Sequence, residues 1–227
     1  MQFARVRPAW RWWLPLLLAA TGCATRPTGS AEPLNLSVAK AAVIAYHDSG
    51  VYAQAVAAVA AEAEAWMARR ASAARPDERL AVVFDIDETM LSNFPHLVSQ
   101  DFGYVPPVWI DWVERAEAPV LPAVRQVYET ARRLGVAVFF VTGRKDPLER
   151  AGTEENLLRH GLHDYVRLDL AAANDPRPTA VRKAARRAAI EAEGYTIIAN
   201  LGDQESDLAG GYAERVFKLP NPFYLIP

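Results

Sequence analysis

The sequence predicts an α/β protein built on a doubly wound parallel sheet, and three observations carry that reading. Short, unbroken apolar runs recur along the chain, helical patterns stand between them, and three of the runs end in clusters of polar residues. Continuous apolar runs suit strands buried on both faces, as a parallel sheet covered by helices requires. Alternation with helical patterns of roughly ten to fifteen residues is the signature of βαβ units.

Each element follows in order. Leu36 to His47 and Val51 to Arg70 are Ala-rich, with Val43, Tyr52, Val56, Val59 and Trp66 at roughly helical spacing. Asp48-Ser49-Gly50 splits them, so two helices packed on the main body are expected. Leu80–Phe84 reads as the first strand, and Val136–Val141 and Thr196–Leu201 repeat its pattern. Tyr165–Leu168 and Arg215–Leu219 are weaker strand candidates, while Ala123–Leu134, Leu148–His160 and Thr179–Glu193 read as helices. Phe94 to Pro119 fits neither period and holds Pro95, Pro106, Pro107, Trp109 and Trp112. It reads as a small cap inserted over the strand ends, with Trp112 as much a buried structural residue as a cap residue.

Composition narrows the class. The 227 residues are 51% hydrophobic and 23% charged, which excludes a disordered tail, a collagen-like repeat and a disulfide-stapled miniprotein. A single cysteine excludes internal disulfides and a cysteine-based zinc site. The net charge of −2 gives no reason to expect a nucleic-acid polymer as partner.

The chain start reads as an address. Arg5, Arg7 and Arg11 form a basic segment, and Trp12 to Ala20 is an apolar run too short to span a bilayer. Ala20-Thr21-Gly22-Cys23 resembles a bacterial lipobox, which makes residues 1–22 a signal peptide and Cys23 the lipidated N-terminus. Residues 23–35, small, polar and Pro/Gly-containing, then form a flexible tether to a domain covering 36–227, with the cap at about 94–119. The expectation is an exported protein held to a membrane by lipid. Ala24 in place of an aspartate after the cysteine favours the outer membrane.

In an open parallel sheet, ligands bind beyond the carboxyl ends of the strands. Three runs end there in Asp85-Ile86-Asp87-Glu88-Thr89, Thr142-Gly143-Arg144 and Gly202-Asp203-Gln204-Glu205-Ser206-Asp207. Strand alternation points Asp85 and Asp87 the same way, and carboxylates that close repel unless a cation or proton is shared. Asp203 beside them makes a hard oxygen site suited to Mg²⁺. His47, His96, His160 and His163 lie in none of these clusters and read as surface or capping residues.

Val82–Thr89 resembles the first motif of the haloacid dehalogenase superfamily. Thr142 matches the second motif, Lys183 the third and Gly202-Asp203-x-x-x-Asp207 the fourth. Asp85–Asn93 (DIDETMLSN), Phe140–Arg144 (FVTGR), Gly202–Leu208 (GDQESDL) and Phe217–Pro222 (FKLPNP) are similar to subfamily IIIB, which holds bacterial class C acid phosphatases and plant vegetative storage proteins. The resemblance implies a haloacid dehalogenase-like, Rossmann-type fold and a Mg²⁺-dependent acid phosphatase acting on phosphomonoesters. It makes Asp85 the nucleophile and Asp87 the general acid and base. Thr142, Gly143 and Lys183 would bind the phosphate. Mg²⁺ would sit on the Asp85 carboxylate, the Asp87 carbonyl and Asp203, with Asp207 acting through water or positioning Lys183. Arg182, Arg186 and Arg187, on the same helix as Lys183, are left as surface or supporting groups. Trp109 of the cap and Tyr224 match the aromatic pair that flanks the substrate's base in class C enzymes, which implies 5′-nucleotides as substrates. Phosphotransferases share the motifs, so transfer to another acceptor is the nearest alternative; a non-catalytic storage or surface-binding protein is another, and loss of Asp85 would be its sign.

Overall fold

Five parallel strands in the order β3-β2-β1-β4-β5 place β1 (Arg79–Phe84) at the centre of the sheet, in a computed structural model that describes residues 32–226. The basic segment, the lipobox with Cys23 and most of the tether lie outside the described residues. No helix among the described residues is long and apolar enough to cross a membrane. β2 (Ala137–Asp146) flanks β1 on one side and β4 (Tyr195–Gly202) on the other, with β3 (Arg167–Ala172) and β5 (Val216–Lys218) at the edges. Phe84 pairs in register with Phe140 of β2 and with Leu201 of β4. The three polar clusters that follow those residues are therefore level at one sheet edge, where the strand order reverses direction.

Alternation decides which face each strand residue covers. Val82, Phe84, Val138 and Phe140 join one core with Tyr52, Val56 and Met67 of α2 (Val51–Ser72) and with Val124 and Val127 of α5 (Pro122–Arg133). Ala81, Val83, Phe139 and Val141 face a second, smaller core closed by Ile190 of α7 (Thr179–Ala192). Trp66 of α2 donates its indole N–H to the Ile198 carbonyl at 2.7 Å, pinning the helix across β4. α6 (Arg150–Arg159) completes the crossover between β2 and β3.

Four expectations change. α1 (Leu36–Asp48) has no buried residue and rests mainly on α2, contributing only half-buried Val43, Ile44 and Tyr46 to the core. The third strand begins two residues later than expected and runs to Ala172. β2 continues through the Thr142-Gly143-Arg144 cluster to Asp146, so that cluster lies on a strand that changes register between Val141 and Lys145. The cap is not irregular: it holds α3 (Phe94–Ser99) and α4 (Pro106–Arg115), each with proline in its first turn. Proline is well placed there because the first N–H groups of a helix have no partner within it. At these helix starts the prolines of the cap serve as entry residues.

Candidate active site

Asp85 leaves the end of β1 with its N–H donating to Leu201 O at 3.0 Å, so the backbone of β4 fixes its direction. Lys183, one turn into α7, reaches across the strand ends and donates to Asp85 Oδ1 and, at 2.6 Å, to Asp207 Oδ1. Asp207 lies in α8 (Glu205–Leu208), where its Oδ2 accepts the Gln204 N–H at 2.8 Å and closes a capping box. Arg187 donates to the carbonyls of Asp207, Ala209 and Gly211, which holds this short helix against α7. Gly202 is required by close approach, since a Cβ there would stand 2.4 Å from the Asp207 Cβ.

Asp203 is equally restrained. Its Oδ1 accepts from Thr89 Oγ1 at 3.0 Å, and its Oδ2 accepts from the amides of Gln204 and Asn221, each at 2.7 Å. Asp85, Asp203 and Asp207 are all buried, and each offers an oxygen within 4.8 Å of the others. Burial raises the Asp85 pKa well above the usual carboxylate range; Lys183 opposes this, and Asp207, Asp203 and Asp87 reinforce it. Burial, with Asp207, raises that of Asp203 against the hydrogen bonds from Asn221 and Gln204. Burial works against the Lys183 charge as well, but the two carboxylates overcome it and raise its pKa. One ammonium thus faces three buried carboxylates. The donor set is all oxygen and carries surplus negative charge, which fits a hard divalent cation.

Asp87 belongs to a different network. Arg144, itself buried, donates through Nη2 and Nε to Asp87 Oδ1 at 2.8 and 3.0 Å, while its Nη1 donates to Thr153. Asn93 Nδ2 donates to the same Asp87 oxygen at 2.8 Å. These bonds gather on Asp87 Oδ1, while its Oδ2 takes one longer contact from Arg144 Nε at 3.3 Å.

Glu88, which the motif reading passed over, organises this side. It is fully buried, with a positive φ of 54° in the turn after Asp87. Burial and the Asp87 charge push its pKa up to about 8, against hydrogen bonds from Tyr224 and Asn93. Its carboxyl accepts from the Asn93 N–H and from the Tyr224 hydroxyl, both at 2.5 Å. Asn93 Oδ1 in turn accepts from Trp112 Nε1 at 2.8 Å, so Trp112 is the buried structural tryptophan of the cap.

A cavity of about 530 Å³ opens over these groups, with Asp85, Asp87, Lys183, Asp203, Gly143 and Arg144 at its floor. Trp109 and Tyr224 both line it. Each is tethered by its polar edge, Trp109 Nε1 to Glu149 at 2.9 Å and Tyr224 to Glu88. Thr142 lies instead along a narrow hollow that shares Gly143 and Lys183 with the cavity; its Oγ1 accepts from the Arg144 N–H at 3.2 Å. His96 corrects the view that the histidines are superficial: it is buried, stacks on Trp112 and lines the cavity. Burial lowers its pKa, with Arg115 adding to the effect. His47 stacks on Phe94 with ring centroids 3.5 Å apart, which joins α1 to the cap. Arg187 is likewise a buried anchor, while Arg186 is exposed.

The fold and the site together define an α/β protein with a buried carboxylate–lysine centre at the switch point of its sheet. Residues 31–227 match the model of the HAD superfamily, subfamily IIIB (Acid phosphatase), and the chain belongs to that family. It is 42% identical over 155 residues to acid phosphatase 1 of Solanum lycopersicum, covering 66% of this chain and 60% of that protein. It is 32% identical over 168 residues to vegetative storage protein 1 of Arabidopsis thaliana, covering 72% and 62% respectively. The chain thus spans about three fifths of the length of these relatives. The class C acid phosphatase of Bacillus anthracis, solved with tungstate bound, has the same fold, with a TM-score of 0.68 at 21% identity over 84% of this chain and 85% of that one.

Proposed function

We propose that this chain is an acid phosphatase that hydrolyses phosphomonoesters through an aspartyl-phosphate on Asp85. The observation that carries the reading is the Asp85–Lys183–Asp207 cluster beside Asp203 at the floor of an open cavity. Phosphoryl transfer needs positioning and charge neutralisation more than covalent machinery, and this floor supplies both.

An Asp85 oxygen attacks phosphorus while the bond to the ester oxygen breaks, and Asp87 gives the departing alkoxide its proton. Asp87 then takes a proton from water, whose oxygen attacks the same phosphorus. Inorganic phosphate leaves and the Asp85 carboxylate is regenerated. Arg144 and Asn93 hold Asp87 in place for both transfers. Lys183 offsets phosphate charge from the Asp85 side, and Gly143 at the cavity floor, with the Thr142 hydroxyl beside it in the adjoining hollow, binds non-bridging oxygens. A divalent cation such as Mg²⁺, held by Asp85, Asp203 and the Asp87 carbonyl, supplies further positive charge to the phosphoryl group when bound.

Nucleotides are the proposed substrates, because Trp109 and Tyr224 offer two rings in the cavity and stacking accepts any base, at about 1–3 kcal/mol each. Cys23 is the proposed lipid attachment site for export and membrane tethering, on the strength of Ala20-Thr21-Gly22-Cys23 alone. The test of the main reading is p-nitrophenyl phosphate hydrolysis across acid to neutral pH, with and without EDTA. Turnover at acid pH, lost with EDTA and restored by Mg²⁺, is expected. No phosphate release would contradict it, and phosphate appearing on an added alcohol would make the protein a phosphotransferase.

A further inference from the structure

Arg182 sits in the first turn of α7, one residue before Lys183, on the wall shared by the catalytic cavity and the narrow hollow. Its Nη2 donates to Thr179 Oγ1 at 2.9 Å. Its Nε and Nη1 are buried and have no hydrogen-bond partner among the described residues. A guanidinium is a planar fork of five donors, and a buried donor without an acceptor is costly to keep. Nearby carboxylates are already committed. Asp169 accepts from Arg167 Nε at 2.8 Å, Asp175 from Arg177 Nη2 at 2.6 Å, and Asp85 and Asp207 share Lys183. Arg182 therefore brings a positive charge, with two unsatisfied donors, to the wall of the cavity that also holds Lys183.

We propose that Arg182 binds a second anionic group of the substrate, a carboxylate or another phosphate a few bonds from the ester that is cleaved. The inference rests on the phosphatase reading and names a substrate class for that same site. Carboxylates line the cavity floor and disfavour multiply charged substrates; a guanidinium with unmet donors beside Lys183 offsets that repulsion and can donate to carboxylate or phosphate oxygens. Lys183 holds Asp85, and Arg182 lines both the cavity and the adjoining hollow, so a group next to the transferred phosphate comes within the reach of its charge.

The test compares two esters that differ by one group, glycerol 3-phosphate and 3-phosphoglycerate, with fructose 1-phosphate and fructose 1,6-bisphosphate as the pair that adds a phosphate instead. In Arg182→Gln, the kcat/KM preference for the carboxylate-bearing or second-phosphate-bearing ester should fall about tenfold or more, the expected size for a lost charged hydrogen bond. The loss should be carried by KM, and Arg182→Lys should recover part of it. Calorimetric titration of the same pairs into Asp85→Asn, with and without Arg182→Gln, reads the preference as Kd without turnover. Equal losses on both members of a pair, in KM or in Kd, would place Arg182 on the transferred phosphate or in the framework and overturn the proposal. An unchanged preference would overturn it too. If the wild type hydrolyses none of the four esters, the phosphatase reading fails, and the Kd comparison still decides for or against Arg182.

Discussion

The two sides of the cavity are held together by different means. On the sheet side, Asp85 and Asp203 follow directly from β1 and β4, and Asp207 follows within a single turn, so paired backbones set their positions. On the cap side, Asp87 is placed by side chains that meet across the chain: Arg144 from β2, Asn93 before α3, Trp112 from α4, and Glu88 joined to Tyr224 over 136 residues. The sheet side can lose a charge and keep its shape. The cap side keeps its shape only while each hydrogen bond is made.

Asp85→Asn should separate the two most sharply. Turnover should fall more than about a thousandfold, as for removal of a nucleophile. The melting temperature should hold or rise, because a buried charge among like charges is removed. Gly202→Ala probes the sheet side by shape: its Cβ would meet the Asp207 Cβ at 2.4 Å and Oδ2 at 2.7 Å, displacing the carboxylate that holds Lys183. A loss of about a hundredfold in kcat is expected, with a lower melting temperature, and near-normal kinetics would show that the strand ends yield after all. Glu88→Ala is the matching probe of the cap side. It removes the acceptor of a buried N–H and a buried hydroxyl, at about 1–3 kcal/mol each. Thermal melts should show the larger stability loss here than in Asp85→Asn, with kcat down about tenfold or more through Asn93 and Asp87; the reverse order of melting temperatures would break the comparison. Trp112→Phe deletes one hydrogen bond to Asn93 and keeps the ring, so about 1 kcal/mol and a few-fold change in kcat/KM should follow.

The smallest expected effect lies away from both sides, where Arg70 of α2 pairs with Glu78 before β1. The hydrogen bonds from Arg70, with that from the Arg75 N–H, lower the Glu78 pKa from 4.5 to about 2. A depressed carboxyl pKa stabilises the fold above the unfolded value and stops doing so as pH falls through the folded one. Glu78→Gln should therefore melt slightly lower than wild type above pH 4.5, and the gap should close between pH 4.5 and 2. A gap independent of pH would assign the pair no electrostatic role.

The difference between the two sides also explains what could be read in the sequence. Leu80–Phe84 and Thr196–Leu201 are legible because full burial on both faces demands unbroken apolar runs, and the carboxylates that end them inherit a known edge of the sheet. Lys183 was legible through its motif position. Glu88, His96, Glu149 and Arg182 were not, because their roles come from partners distant in sequence or from partners that are missing, and no periodicity encodes either. Trp112 was legible as apolar bulk, but its hydrogen bond to Asn93 was not. The helices of the cap were hidden by prolines, which count against a helix interior yet suit its first turn.

The central claim is that the phosphoryl group passes through Asp85, and the direct measurement is acid quench of the enzyme during turnover of a phosphorus-labelled ester, followed by mapping of the labelled peptide. Label should appear on the peptide holding Asp85, be released by hydroxylamine as an acyl phosphate is, and be absent from Asp85→Asn. Label on a histidine peptide, or full turnover by Asp85→Asn, would contradict it.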